Sequence, residues 1–234
     1  MPKFIVSKEF WELFPNAHFG IVLAKGIDNS GESTVAIKNL LAEANEVSEK
    51  FTEAAVFSEN PAVAVWRAAY RKFKTKKGAR SSIENLLKRV SKRNEVRSIN
   101  PLVDIYNSIS LNYGLPAGGE DLDKFVGNLH LKFATGGEDF IGIGEEAEEP
   151  CLEGELAYLD ELGAVCRGWN WRDGQRTMLT SQTKNAFLIV ESCVADQEEN
   201  LREATKELSN LVNSCFEIQT EVFIVDILCP EVVL

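Results

Sequence analysis

The chain of 234 residues contains 36 acidic and 25 basic residues, giving a net charge of −11 at pH 7, and 44% of its residues are hydrophobic. This composition is typical of a folded core and argues against general disorder and against indiscriminate nucleic-acid binding. No run of 18 apolar residues occurs, so the sequence predicts no membrane span. The first residues lack the apolar segment of a secretory signal, and we expect a cytoplasmic protein.

Cysteine and histidine usage argues against a metal site. The five cysteines are odd in number and widely spaced, and no C-x-x-C motif occurs. A disulfide framework and a structural zinc site are therefore not expected. The chain has only two histidines, His18 and His130, so we expect no bound metal and no cofactor.

The first half of the chain is predicted to be mainly helical. FGIVLAKGI, residues 19–27, is typical of a buried strand. Four helices should follow, because each has an apolar stripe and most have start signals: a cap with proline, or the capping box at Ser81. They begin near Val35, Pro61, Ser82 and Pro101, and Gly114 ends the last one. LPAGGEDLDKF, residues 115–125, should be a turn-rich loop.

About half of the basic residues lie in one segment. Residues 67–97 hold twelve Lys or Arg and two Glu, a net +10, which leaves −21 for the rest of the chain. The segment is either a pair of solvated helix faces or a stripe that follows a phosphate backbone. The candidate nucleic-acid contacts are Arg71, Lys74, Arg80, Lys88, Arg89, Lys92, Arg93 and Arg97.

The second half is predicted to be rich in strands. The pattern indicates strands at residues 128–134, 140–144, 177–183, 185–194 and 220–228, and a hairpin turning at residues 160–163. A helix should occupy residues 196–216. This order, with helices first and strands later, indicates an α+β protein rather than a regular βαβ alternation. Neither G-x-G-x-x-G nor a P-loop is present, which disfavours dinucleotide and nucleotide triphosphate sites.

The stretch CRGWNWRDGQRT, residues 166–177, places tryptophans and arginines side by side. If it continues as a strand, Arg167, Trp169 and Trp171 share one face. The tryptophans then either cover the edge of the core, with the arginines ion-paired, or form a pocket wall that stacks on a base and binds phosphate. The pocket candidates are Cys166, Arg167, Trp169, Asn170, Trp171 and Arg172.

RSINPLVDIYNSISLNYGLPAGGEDLDKF, from residue 97, resembles the B3/B4 domain of the bacterial phenylalanyl-tRNA synthetase β subunit. The resemblance continues through GNLHLKFATGGEDF and GELAYLDELGAVCRGWNWRDGQRTMLTSQTKNAFLIVE and is strongest over residues 60–195. It implies a single domain over residues 1–234, with a helical basic part at 60–114 and a strand-rich part at 125–195. It also implies a three-layer α+β fold with a β-sandwich-like core flanked by helices.

In the synthetase this domain edits tyrosine wrongly attached to phenylalanine tRNA. The resemblance therefore implies a freestanding domain that binds the acceptor end of a tRNA and hydrolyses a mischarged aminoacyl ester in trans, and no ligase motif that would charge a tRNA is visible. This chain departs from the family pattern at three places. Gly118 stands where the family has a pocket histidine, Tyr106-Asn107 replaces Thr-Asn, and residues 166–171 replace a glycine-rich stretch. The amino acid that is edited therefore cannot be carried over from the family.

Hydrolysis of an aminoacyl ester needs a positioned water and oriented donors rather than a catalytic triad. If the chain is catalytic, we expect Asn107, Asp104 or Asp160 near the water or the amino group, and Arg167 or Arg172 at the phosphates. Two other hypotheses remain: a non-catalytic adaptor that binds tRNA or another RNA, and a binding protein for a free amino acid. We expect no membrane and no DNA partner, and the sequence leaves the oligomeric state open.

Overall fold

The computed structural model describes residues 2–234, which form two β-sheets and a set of helices. The strands are β1 Lys3–Val6, β2 His18–Lys25, β3 Ala117–Asp121, β4 Leu129–Phe133, β5 Leu156–Asp160, β6 Gly163–Arg167, β7 Arg172–Asp173, β8 Asn185–Ser192, β9 Glu221–Val225 and β10 Glu231–Val233. The α-helices are α1 Lys8–Leu13, α2 Val35–Val47, α3 Pro61–Ala69, α4 Ser82–Val90, α5 Pro101–Tyr113 and α6 Glu198–Phe216. Short 3₁₀ helices occupy Ser48–Phe51, Phe57–Glu59, Leu122–Lys124 and Ala195–Gln197.

The two sheets pack face to face. The six-stranded sheet has the order β10-β1-β4-β5-β6-β7, and the four-stranded sheet has the order β3-β8-β2-β9. Side chains alternate across β2 and β8, as the two-residue period of a strand requires. Phe19 and Phe187 point into the core between the sheets, while Val22 and Leu188 point towards helices α5 and α6.

Three layers result: a sheet, a second sheet and a layer of helices. The expected α+β fold with a sandwich-like core is confirmed. Helix α6 approaches β2 so closely that a Cβ at Gly20 would overlap the Thr205 side chain, so this strand position needs glycine. Helices α3 and α4 pack at the sandwich core through Trp66, Ile83 and Leu87.

The helix starts agree with the sequence signals. The side chains of Ser81 and Asn100 accept hydrogen bonds from the backbone N–H groups of Glu84 and Val103, and Gly114 ends α5 in the left-handed conformation. Helix α2 starts at Val35 as predicted, and a 3₁₀ helix, Ser48–Phe51, continues it after Val47.

Several loop and strand assignments were wrong. The stretch predicted as a turn-rich loop contains β3, an edge strand paired with β8. The stretches at 140–144 and 177–183 make only isolated bridges, Gly142 to Gly174 and Met178 to Glu120. The strand predicted to run through Trp171 ends at Arg167, because Gly168 and Trp169 both have positive φ angles and turn the chain.

Candidate functional site: a cavity lined by carboxylates

A cavity of about 70 Å³ lies between the sheets, next to the first turn of α4. Its partly exposed members are Ser82, Gly118, Gly119, Asn170, Trp171 and Asp173, which mark the side that faces solvent. The buried members are Ala117, Glu120, Leu129, Tyr158, Val165, Cys166, Phe187, Ile189 and Glu191. We call this space the carboxylate cavity, because Glu120, Asp173 and Glu191 all line it.

Glu191 on β8 organises the inner wall. Its Oε1 accepts a hydrogen bond from Trp169 Nε1 at 3.0 Å and another from the Tyr158 hydroxyl, and its Oε2 accepts one from Asn170 Nδ2. Burial raises the pKa of Glu191 to about 7, although these donors lower it. The carboxyl is therefore held in place and titrates near neutral pH.

The turn after β6 places the cavity wall. Trp169 has φ +62°, a conformation that an L-residue with a large side chain seldom adopts. Its backbone N–H donates to Leu156 O at 2.6 Å, and its ring packs edge-on against Phe10 and Trp66. These contacts fix the turn, so that Asn170 and Trp171 reach the partly exposed side of the cavity.

Glu120 and Asp173 differ from Glu191 in their partners. Burial raises the pKa of both carboxyls, and the nearby Asp173 raises that of Glu120 further. Within residues 2–234, Glu120 Oε2 is buried without a hydrogen-bond partner. The side chain of Asp173 makes no ion pair in the described part of the chain, but the Cys166 thiol interacts with its carboxyl and lowers its pKa.

Gly118 leaves open space beside the cavity. A Cβ built on Gly118 would meet no atom within 4 Å, whereas one on Gly119 would lie 2.5 Å from Leu188 Cδ2. Gly118 has no positive φ angle, so its backbone accepts other residues. This part of β3 therefore has room for a side chain at position 118 and none at position 119.

The Trp/Arg stretch contributes to the cavity differently from the sequence expectation. Cys166, Asn170 and Trp171 line the cavity, as predicted for a pocket wall. Arg167 and Trp169 do not. The Arg167 side chain is 1% exposed and pairs with the fully buried Glu155, with Nη2 2.7 Å from Oε2. The expected shared face of Arg167, Trp169 and Trp171 is wrong because the strand ends at Arg167.

Arg172 also has a protein partner: its Nη2 lies 2.5 Å from Glu145 Oε1. Glu149, in the same acidic loop, pairs with Lys76. The acidic loop thus neutralises part of the basic segment and of the Trp/Arg stretch. The burial of Arg167 argues against its placement at phosphates, whereas the placement of the partly exposed Arg172 stays a prediction.

The predicted catalytic residues Asn107, Asp104 and Asp160 do not line the cavity. Asp104 is buried and accepts hydrogen bonds from the Ser33 and Ser98 hydroxyls and the Ile99 backbone N–H. Asp160 binds Arg176 at the β5–β6 hairpin, with a shortest distance of 2.7 Å. These two carboxylates hold loops in place, and Asn107 lies buried on α5.

A second depression, the arginine cleft, adjoins the cavity. It measures about 240 Å³, and its residues are Trp66, Arg67, Tyr70, Arg71, Thr75, Ala79, Arg80, Ser81 and Glu84. One hydrogen bond connects it to the cavity wall: the Tyr70 hydroxyl donates to Asn170 Oδ1 at 3.0 Å. Within the cavity wall, the backbone N–H of Ser82, which follows the cleft residue Ser81, donates to Asn170 O at 3.0 Å. Glu84 binds Arg67 and Arg80, and Arg71 is exposed.

The remaining basic candidates lie elsewhere on this segment. Lys88, Arg89, Lys92, Arg93 and Arg97 are exposed at or beyond the last turn of α4. Nine helical residues span roughly 13 Å, which separates this distal group from Ser82. Lys74 is exposed, and its backbone bridges to Glu155. The basic segment therefore has one part near the cavity and one part away from it.

Sequence reasoning missed Glu120, Glu191, Asp173 and Ser82. Glu191 interrupts the apolar run FLIV of β8, and Glu120 follows two glycines in a stretch assigned to a loop. An acidic residue inside a buried strand pattern was the available signal, since such residues are seldom buried without a special role.

Within residues 2–234, no helix is long and apolar enough to cross a membrane. In the same residues, no group of His, Cys, Asp and Glu is arranged so that it could hold a metal ion.

The chain is similar to one domain family and to one group of curated proteins. The family model of the B3/4 domain matches residues 65–213. Phenylalanine–tRNA ligase β subunits are similar in sequence: that of Fusobacterium nucleatum is 30% identical over 118 residues, covering 50% of this chain and 14% of the relative. That of Neisseria meningitidis is 34% identical over 87 residues, covering 37% and 11%. The chain thus spans about a seventh of the length of these relatives.

A solved structure is also similar: an N-terminal fragment of the phenylalanyl-tRNA synthetase β subunit from Pyrococcus horikoshii. Its TM-score is 0.49 at 13% identity, with 94% of this chain and 49% of that chain covered.

Proposed function

The chain belongs to the B3/4 domain family, and from this premise we propose that it binds the acceptor end of a tRNA and hydrolyses a wrongly attached aminoacyl ester. The observation that carries the proposal is the carboxylate cavity, which opens beside the arginine cleft. The relatives named above are tRNA ligase subunits, and ligation is not proposed for a chain that spans a seventh of their length. Both chain ends enter one sheet through β1 and β10, so we infer that residues 1–234 act as one domain.

The two depressions suit the two parts of the substrate. The cavity has apolar walls at Leu129, Phe187 and Ile189 and polar groups at its rim, which suits an amino-acid moiety. The neighbouring cleft carries two exposed arginines, Arg71 and Arg80, and Arg80 also contacts Glu84. Guanidinium groups bind phosphate through planar forks of donors. The contacts between Tyr70, Ser82 and Asn170 keep the two sites side by side, so one acceptor end could occupy both.

A cysteine nucleophile does not fit this cavity. Burial raises the pKa of Cys166 well above its usual value, and Asp173 and Glu120 raise it further. A thiol in this environment stays protonated and is a poor nucleophile. We therefore propose direct hydrolysis: a water oxygen attacks the ester carbonyl carbon, the bond to the ribose oxygen breaks, and a proton passes to that oxygen.

Ser82 is the group that we propose to orient the water or the ester carbonyl. Its Oγ is buried, borders the cavity and has no hydrogen-bond partner in residues 2–234. The helix does not need this hydroxyl, because the neighbouring Ser81 provides the cap. A free hydroxyl at the rim, next to the Asn170 amide, can donate to or accept from the reacting atoms.

The test is hydrolysis of a panel of tRNAs, each charged with a correct or an incorrect amino acid. The proposal predicts that the protein releases the amino acid from at least one mischarged tRNA faster than the spontaneous rate. It also predicts that tRNA binding weakens as salt rises, because phosphate contacts release counterions.

Two other results would replace the proposal. Salt-dependent tRNA binding with no release of any amino acid would support the non-catalytic adaptor. An absence of tRNA binding, together with binding of a free amino acid, would support the small-molecule hypothesis.

A further inference from the structure

The carboxylate cavity has three carboxyl groups and no basic side chain among the described residues of its lining. Glu120, Asp173 and Glu191 line it, and none of the described residues in the lining is Lys, Arg or His. Arg176 lies outside the lining, but its positive charge lowers the pKa of Glu120. Its guanidinium is already bound by Asp160, with two nitrogens 2.7 and 2.9 Å from the carboxylate. The protein therefore supplies no dedicated cation to this cavity.

The three carboxyls are not equivalent. Glu191 is occupied by its donors Tyr158, Trp169 and Asn170. Glu120 is 7% exposed, and its Oε2 has no partner within residues 2–234. Buried acceptors are nearly always satisfied, so an open one beside a cavity indicates a ligand or water that donates to it. The Thr177 hydroxyl is close enough to lower the pKa of Glu120 but is itself buried without a hydrogen-bond partner among the described residues, so Glu120 Oε2, with Asp173 next to it, is the acceptor of this site that is most open to a ligand.

Burial raises the pKa of Glu120 and of Asp173, so an empty cavity favours their protonated forms. A bound cation reverses that preference, because opposite charge stabilises the carboxylate. The described residues offer no arrangement of His, Cys, Asp and Glu that could hold a metal ion. An organic cation with N–H donors matches both the free acceptors and the apolar walls better than a metal does.

We propose that the carboxylate cavity binds a primary ammonium group on a short apolar stem, with Glu120 and Asp173 accepting its N–H bonds. Leu129, Phe187 and Ile189 pack against the stem. This inference rests on the function proposed above, because the ammonium group belongs to the amino acid on the tRNA. It adds the chemical group by which that amino acid is held. Either the α-amino group or a basic side chain supplies this chemistry.

Three small amides separate these sources without any tRNA. Nα-acetyl-L-lysine methylamide carries only a side-chain ammonium, L-norleucine methylamide carries only an α-ammonium, and Nα-acetyl-L-norleucine methylamide is neutral. Calorimetric titration at pH 7 should give binding of at least one cationic amide and at least about tenfold weaker binding of the neutral one, as loss of a charged hydrogen bond implies. Equal binding of all three, or binding of none, would overturn the proposal.

Glu120→Gln should weaken binding of the preferred cationic amide by about tenfold or more, because it removes the charge and keeps the shape. Asp123→Asn is the matched control: it removes an exposed carboxylate three residues away and should leave affinity unchanged. Circular dichroism checks that Glu120→Gln keeps the fold. If it does not, Asp173→Asn serves as the second variant. Unchanged affinity in both cavity variants contradicts the proposal. Failure of tRNA hydrolysis alone would affect only the proposed function, since these titrations contain no tRNA.

Discussion

The sandwich buries carboxylates in two contrasting settings. Glu155 is fully buried and paired with the equally buried Arg167, whereas Glu120, Asp173 and Glu191 border a cavity without a basic residue in its lining. In the first pair the two charges neutralise each other, and further contacts of Arg167 with Glu149 and of Glu155 with the Leu152 N–H hold the end of β6 in place. The second group keeps an open acceptor beside a cavity. The missing counter-charge, rather than burial alone, distinguishes the carboxyls of the proposed binding site from Glu155.

The largest effect should come from breaking the paired setting. Arg167→Met leaves Glu155 buried without its cation and should lower the free energy of unfolding by about 3–5 kcal/mol. Denaturant unfolding measures this loss. The double variant Arg167→Met/Glu155→Gln removes both charges and should recover part of the stability. If the single variant is as stable as the parent, the pair has no structural role.

The unpaired setting should show itself in the pH dependence of stability. The pKa of Glu191 is about 7 in the folded protein, against 4.5 as the ordinary value. The folded state therefore holds an extra proton between these values, and the free energy of unfolding should fall as pH rises from about 4.5 to about 7, by at most about 3 kcal/mol.

Glu191→Gln cannot titrate and should flatten this slope, as denaturant unfolding at a series of pH values would show. Glu207→Gln, on the partly exposed face of α6, serves as the control and should keep the slope. An identical slope in Glu191→Gln and the parent would contradict the assignment.

Substitutions of the adjacent residues Ser81 and Ser82 should affect different properties, stability in the first case and deacylation in the second. Ser82→Ala should slow deacylation by about a hundredfold if its hydroxyl orients the reacting atoms, as loss of one transition-state donor does. Stability should change by less than about 0.5 kcal/mol. Ser81→Ala removes the helix cap and should cost about 1 kcal/mol. A Ser82→Ala protein with full activity would remove Ser82 from the mechanism.

The smallest effect should distinguish the two ends of the basic segment. Arg71→Ala/Arg80→Ala, in the arginine cleft, should reduce the salt dependence of tRNA binding by about 1.4 in logarithmic slope, at about 0.7 per contact. Arg89→Ala/Arg93→Ala removes the same charge at the distal end and should have less effect. Equal losses from both pairs would favour a continuous basic stripe over a local cleft.

The sequence predicted those elements whose signals are local. The caps at Ser81 and Asn100 and the apolar strand β8 were correctly placed, since each signal lies within a few residues of the element that it defines. The fold class and the family followed from the same stretches.

What the sequence could not predict depends on distant contacts. β3 reads AGGED, which lacks strand-forming residues, and it forms because β8 offers an edge to pair with. The positive φ of Trp169 is held by Leu156 O and by aromatic neighbours from α1 and α3. The cavity carboxyls come from β3, β7 and β8, so their meeting is a property of the fold and not of any one stretch.

The most direct test compares two forms of one tRNA: uncharged, and carrying the preferred amino acid through a non-hydrolysable amide at its 3′ end. We expect the protein to bind the aminoacylated tRNA about tenfold more tightly than the uncharged tRNA. In Glu120→Gln this difference in affinity should disappear. Equal affinity for the two forms in the unaltered protein would show that the carboxylate cavity does not hold the aminoacyl group.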